Sequence, residues 1–158
     1  MNARRLLTAA AAAALVLSAT VASAGEDVAW VKDLTTARAV SQKTGKPILV
    51  VFGAEWCGYC KKMERTTLAH PQTVALINER FVPVHLDLTD QKNPTAEKRV
   101  AGILKVEKLP TSVVLTSDAD LLGRISGYQS SARFYEKLTT AEQVGANIRM
   151  AGATQQAK

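Results

Sequence analysis

The stretch Trp56-Cys57-Gly58-Tyr59-Cys60 constrains this chain most. It holds the only two cysteines among 158 residues, and it directly follows the apolar run Ile48-Leu49-Val50-Val51-Phe52. A short continuous run of this kind reads as a central strand covered on both faces. Where a buried strand gives way to a helix, the first thiol of a Cys-x-x-Cys meets unpaired N–H groups and the positive end of the helix dipole, which favour the thiolate. The second thiol lies one turn along, close enough to attack it. Cys57 is therefore the expected exposed nucleophile that starts disulfide exchange, and Cys60 the more buried thiol that finishes it. Lys61 and Lys62 follow at once and read as solvated side chains near the helix start.

The same spacing also serves metal sites. A structural zinc site usually needs four ligands, but this chain has no further cysteine, and its two histidines, His70 and His85, stand alone. No zinc site is expected. Binding of a soft ion such as Cu(I) by the two thiolates stays open, because it needs only two ligands.

Residues 1–24 read as a secretory signal: a basic head with Arg4 and Arg5, an Ala/Leu/Val-rich core from Leu6 to Val21, and Ala22-Ser23-Ala24 as a small-x-small cleavage site before Gly25. Export places the cysteine pair where a disulfide persists, so the pair must be recharged by a dedicated partner or act as an oxidant. Two of the 20 basic residues leave with this segment, and the net charge falls from +6 to +4. The remaining charges are scattered, which gives nucleic-acid binding no support. Residues 25–150 suffice for one domain with a proper core, and residues 151–158 read as a frayed, flexible tail.

Residues 28–44 read as a helix, with Val28, Val31, Leu34, Ala37 and Val40 as a partial apolar stripe and Gly45-Lys46-Pro47 as its stop. Trp30, near the start of that stretch, reads as a packed side chain. The cysteine helix is expected from Cys57 to about Thr67. A further helix follows the turn at His70-Pro71, over about residues 72–79, with Val74, Ile77 and Leu76 inward. Residues 81–88 alternate, with Val84, Leu86 and Leu88 on one face and His85 and Asp87 on the other. Pro83 within them argues for a sheet edge. Asn93-Pro94 reads as cap and first residue of a helix to about Leu104. Residues 111–116 and 121–126 form an expected hairpin, and a last helix begins at Ser130 or Ser131 with Phe134 and Leu138 inward, joined by Ala141 or Val144. The order predicts an α/β architecture with helices on both faces of a central sheet.

Over nearly all of residues 30–138 the chain resembles the thioredoxin superfamily. The resemblance rests on residues 46–52, on Ala54-Glu55-Trp56-Cys57-Gly58-Tyr59-Cys60-Lys61, on Leu109-Pro110-Thr111 and on Gly127. The opening helix and the phrase from Trp30 to Leu34 look most like exported thioredoxin-like proteins related to the soluble domain of the membrane thiol:disulfide interchange protein. The resemblance implies the thioredoxin fold, with a mixed sheet. It also implies a cis-proline at Pro110 that packs against the cysteine pair, and a preceding residue, Leu109, whose backbone meets an extended substrate peptide. Trp56 would form the groove wall, with Gly58 and Tyr59 between the sulfurs.

Three departures from that pattern bear on the chemistry. Thioredoxins carry a buried aspartate at the position of Val51, where it helps take the proton from the resolving thiol. Valine cannot do so. His85 stands about where they have a lysine near that aspartate, so its imidazole is a candidate proton acceptor. Gly58-Tyr59 matches exported disulfide isomerases rather than thioredoxin, although those have threonine before the cis-proline and a dimerisation domain that this chain has no room for. Lys108 replaces a glycine and alters the charge of the groove.

The expectation is an exported, periplasmic or secreted, monomeric thiol:disulfide oxidoreductase that reduces disulfides of extracytoplasmic proteins. A membrane thiol donor would recharge it, and no organic cofactor is implied beyond the Cys57–Cys60 disulfide. The same fold run backwards, as an oxidase or isomerase, is the nearest alternative. A Cu(I) metallochaperone or a non-catalytic binding protein is the alternative from another class.

Overall fold

The computed structural model of the protein describes residues 27–156; the expected signal segment, residues 1–24, lies outside them. The apolar run is strand β1, Ile48–Gly53, and all six of its residues are buried. It lies inside a four-stranded sheet of order β2-β1-β3-β4. Here β2 is Val82–Asp87, β3 is Thr111–Leu115 and β4 is Leu121–Ser126. β2 runs parallel to β1, while β3 is antiparallel to both β1 and β4, so the sheet is mixed. β2 is an edge strand, as Pro83 suggested: proline has no N–H to give a central ladder, and Pro83 uses its carbonyl instead to accept from the N–H of Val31 at 2.9 Å.

Alternation along β1 divides the core. Leu49 and Val51 point to the face covered by Met63, Ile77, Phe134 and Leu138. Val50 and Phe52 point to the other, covered by Ala37 and Ala101. The helices follow this division. α2, Gly58–Met63, runs into a π-helical turn, Glu64–Leu68, and then comes α3, Pro71–Arg80. Together with α5, Ser131–Gln156, these cover the first face. α1, Leu34–Thr44, and α4, Ala96–Ile103, cover the second.

Four sequence expectations are corrected. Helix α1 begins at Leu34 rather than at residue 28, because Asp33 is its cap: the Asp33 carboxylate accepts the Thr36 N–H at 2.7 Å. The preceding Val31 is instead bridged to Val84 on the free edge of β2. Gly45 closes α1 as expected, with φ 71°, a conformation glycine adopts without a Cβ penalty. The cysteine helix is shorter than expected and gives way to the π turn at Glu64. α4 is capped by Thr95, whose hydroxyl accepts the Lys98 N–H at 3.2 Å, while Asn93 donates its own N–H to Asp90. α5 has Phe134, Leu138 and Ala141 inward but leaves Val144 exposed, and it stays helical to Gln156, through most of the segment expected as a tail.

Candidate functional site

The chain leaves β1 at Gly53 and turns outward. The Ala54 carbonyl accepts the Cys57 N–H at 3.0 Å, which holds Cys57 as the cap of α2. There the Cys60 N–H points at the Cys57 sulfur, 3.1 Å away. This backbone donor of the helix's first turn is thus aimed at Sγ, which offsets negative charge on it when the pair is reduced. Cys57 and Cys60 are joined as a disulfide, with Cα atoms 5.2 Å apart. The expected order of exposure holds, but narrowly: Cys57 is 7% exposed and Cys60 3%, so both residues of the disulfide are recessed.

Around the sulfurs the sequence candidates separate into two groups. Leu109 packs against Ala54, Cys57 and Cys60. The Leu109–Pro110 peptide is cis, and the Pro110 carbonyl accepts the Gly127 N–H at 2.7 Å, tying the loop before β3 to the end of β4. Gly58 stands in open space, while Trp56 and Tyr59 are 55% and 65% exposed and flank the mouth. An exposed aromatic pair beside a recessed disulfide is a surface suited to a peptide chain rather than to a small enclosed ligand. A cavity of about 550 Å³ lies elsewhere, between α1, α4 and the edge of β2, and of the candidate residues only His85 lines it.

His85 sits opposite Val51 in the β1–β2 register. Its ring meets Trp30 edge-on, with centroids 5.8 Å apart, so Trp30 is packed on one side although it is 39% exposed. The imidazole crosses over Gly53. A methyl group added there would lie 2.8 Å from His85 Nε2 and 3.9 Å from Cys60 Cβ. The structure therefore brings His85 and Cys60 to the same glycine.

Sequence reasoning missed Gly53 and Thr89. The Thr89 hydroxyl accepts the Glu55 N–H at 2.8 Å, and its carbonyl accepts from Trp56 Nε1 at 3.3 Å, so the loop after β2 steadies the aromatic wall. Gly53 carried a signal, as the one residue without a side chain in the strand that leads to the cysteines. Thr89 carried none. Lys62 is exposed, as its sequence reading has it, and its ammonium lies 4.5 Å from the Tyr128 ring centroid. The Tyr128 hydroxyl is held below the usual tyrosine range, first by its hydrogen bond with Thr66 and, to a lesser extent, by Lys62. Among the described residues no three His, Cys, Asp or Glu side chains are grouped to hold a metal ion, and no helix is long and apolar enough to cross a membrane.

The profile of the thioredoxin-like domain matches residues 34–142, well over half of the chain. The chain belongs to the thioredoxin-like family. Among curated relatives, it is 29% identical over 109 residues to the thiol:disulfide interchange protein DsbD of Cronobacter sakazakii, an alignment covering 68% of this chain and 18% of that protein. The chain thus spans less than a fifth of the length of the DsbD relatives it matches first. Among solved structures, a DsbH oxidoreductase superposes with a TM-score of 0.65 at 20% identity, covering 83% of this chain and 95% of its own. A thioredoxin from Thermus thermophilus gives a TM-score of 0.61 at 28% identity, over 75% of this chain and 87% of its own. This thioredoxin-like chain carries the Cys-x-x-Cys redox motif and is homologous to thiol:disulfide oxidoreductases.

Proposed function

We propose that this thioredoxin-like protein reduces disulfides in exported proteins. The Cys57 thiolate attacks a substrate disulfide, one substrate thiolate leaves, and a mixed disulfide forms. Cys60 then attacks Cys57 Sγ, the second substrate thiolate leaves, and the Cys57–Cys60 disulfide remains. The observation that carries this reading is the Cys57 sulfur at the head of α2, bonded to Cys60 and facing the Cys60 N–H at 3.1 Å. Leu109 and Pro110 would dock an extended peptide beside it, with Trp56 and Tyr59 as the rim.

The pair itself is the redox group in this reading, with no organic cofactor. The domain, residues 25–150, acts as a monomer outside the cytoplasm after cleavage near Ala24-Gly25, and a membrane thiol donor returns it to the dithiol. Partial likeness to the thiol:disulfide interchange protein DsbD supports exchange with other thiol proteins. The direction of electron flow is tested by the reduction potential, from equilibration with glutathione or dithiothreitol buffers followed by alkylation of free thiols. A reductase predicts a value near about −270 mV; a value between about −180 and −120 mV would instead make oxidation or isomerisation the function.

A further inference from the structure

The resolving step needs a base. A thiol attacks only as the thiolate, and Cys60, 3% exposed and packed among Ala54, Cys57 and Leu109, has little water around it to take its proton. Its neighbours on β1 do not help, because Val51 and Phe52 are hydrocarbon and Gly53 has no side chain. The absence of a side chain at Gly53 leaves room there for the His85 ring. His85 Nε2 lies 2.8 Å from where a Cβ would stand, and the same point is 3.9 Å from Cys60 Cβ. Trp30 meets the ring in a T-shaped contact, with centroids 5.8 Å apart.

We infer that His85, admitted by Gly53, is the proton acceptor for Cys60 during resolution of the mixed disulfide. The inference rests on the exchange reading above. In the step, the Cys60 S–H proton passes to His85 Nε2, directly or through one water. The Cys60 sulfur then bonds to Cys57 Sγ, and the Cys57–substrate bond breaks with its electron pair on the departing thiolate. His85 afterwards returns the proton to that thiolate or to solvent. When the pair is recharged the proton runs the other way, from imidazolium to the Cys60 thiolate. Imidazole is the side-chain type that exchanges a proton between about pH 5 and pH 8. The charged groups lining the cavity beside it are Lys32, Asp33 and Arg38 from the α1 end, Asp87 from β2 and Glu97 from α4. Trp30, packed on the ring, borders a second hollow that Asp27 and Glu64 also line.

The test is rapid mixing of the reduced protein with a chromogenic aryl disulfide. One aryl thiolate appears when Cys57 attacks and a second when Cys60 resolves, so the two steps are read separately. His85→Gln and Gly53→Ala are each expected to slow the second release by about tenfold or more near neutral pH. In the wild type that rate should level off in the neutral range, whereas in His85→Gln it should keep climbing with pH toward the thiol range. Added imidazole should restore the second release in His85→Ala. An unchanged second release in His85→Gln would overturn the role of His85 and leave the exchange reading intact. A slowed release that keeps the wild-type pH profile and ignores imidazole would reveal a purely structural role and overturn it as well. A wild type that releases only one thiolate would overturn the exchange reading itself.

Discussion

From Ile48 to Phe52, β1 is sealed on both faces; from Gly53 to Cys60 the same stretch of chain bends toward solvent and presents Trp56 and Tyr59 to it. The first part packs into the two apolar core layers. The second has a disulfide, a recessed sulfur facing a backbone N–H, and an imidazole filling the space above a glycine. Stability and chemistry are thus divided along some thirteen consecutive residues, and the division falls at Gly53, the last residue of the strand. The comparison teaches that the rigid strand is the mount for the sulfurs. A side chain that strengthens the mount at residue 53 would displace the group that serves them.

Removing the nucleophile should have the largest effect on function and little on the fold. Cys57→Ser is expected to lower disulfide turnover by at least about 1000-fold while the thermal transition of the reduced protein stays close to that of the wild type. Phe52→Ala should do the opposite. Phe52 is fully buried, so its truncation is expected to cost about 3 to 5 kcal/mol in denaturant unfolding, a large part of a small domain's stability. The reduction potential measured on the folded fraction should stay near the wild-type value. If Phe52→Ala shifted the potential as strongly as it shifted stability, the division at Gly53 would be wrong.

A smaller effect concerns acid. The Asp33 carboxyl is held below the usual carboxylate range, chiefly by the Thr36 N–H it caps. A depressed folded value means that the contribution is complete above the unfolded carboxylate range and is lost as the pH falls through the lowered folded value. Asp33→Asn should therefore keep the cap but flatten the acid limb of a stability–pH curve, while Asp33→Ala should lose the cap at neutral pH as well. Thermal melts from acid to neutral pH would show both. Neither change should alter the sulfur chemistry.

Much of this was legible in the sequence for a local reason. Ile48 to Phe52, the cysteine pair, the hairpin from Thr111 to Ser126 and the edge character imposed by Pro83 each express a period or a covalent constraint within a few residues. The start of α1 was misread because Val28 and Val31 fit a helical stripe, and nothing in their spacing reveals that Val31 bridges to Val84. Asp33 was the overlooked signal, since it sits where a cap belongs. The π turn at Glu64–Leu68 leaves no mark in the sequence. Cys57, Cys60 and the Leu109-Pro110 pair could be named from motifs. His85 could be named only by position in a resembling fold; its place over Gly53 depends on the register of β2 against β1, which no local pattern encodes.

In the proposed exchange Cys57 is the entry sulfur and Cys60 the resolving one. Mass analysis after mixing each single-cysteine variant with a disulfide-bonded peptide tests it most directly. The account predicts that Cys60→Ser accumulates a peptide adduct on Cys57, while Cys57→Ser forms adduct far more slowly. Equal trapping by both variants, or trapping by neither, would contradict it.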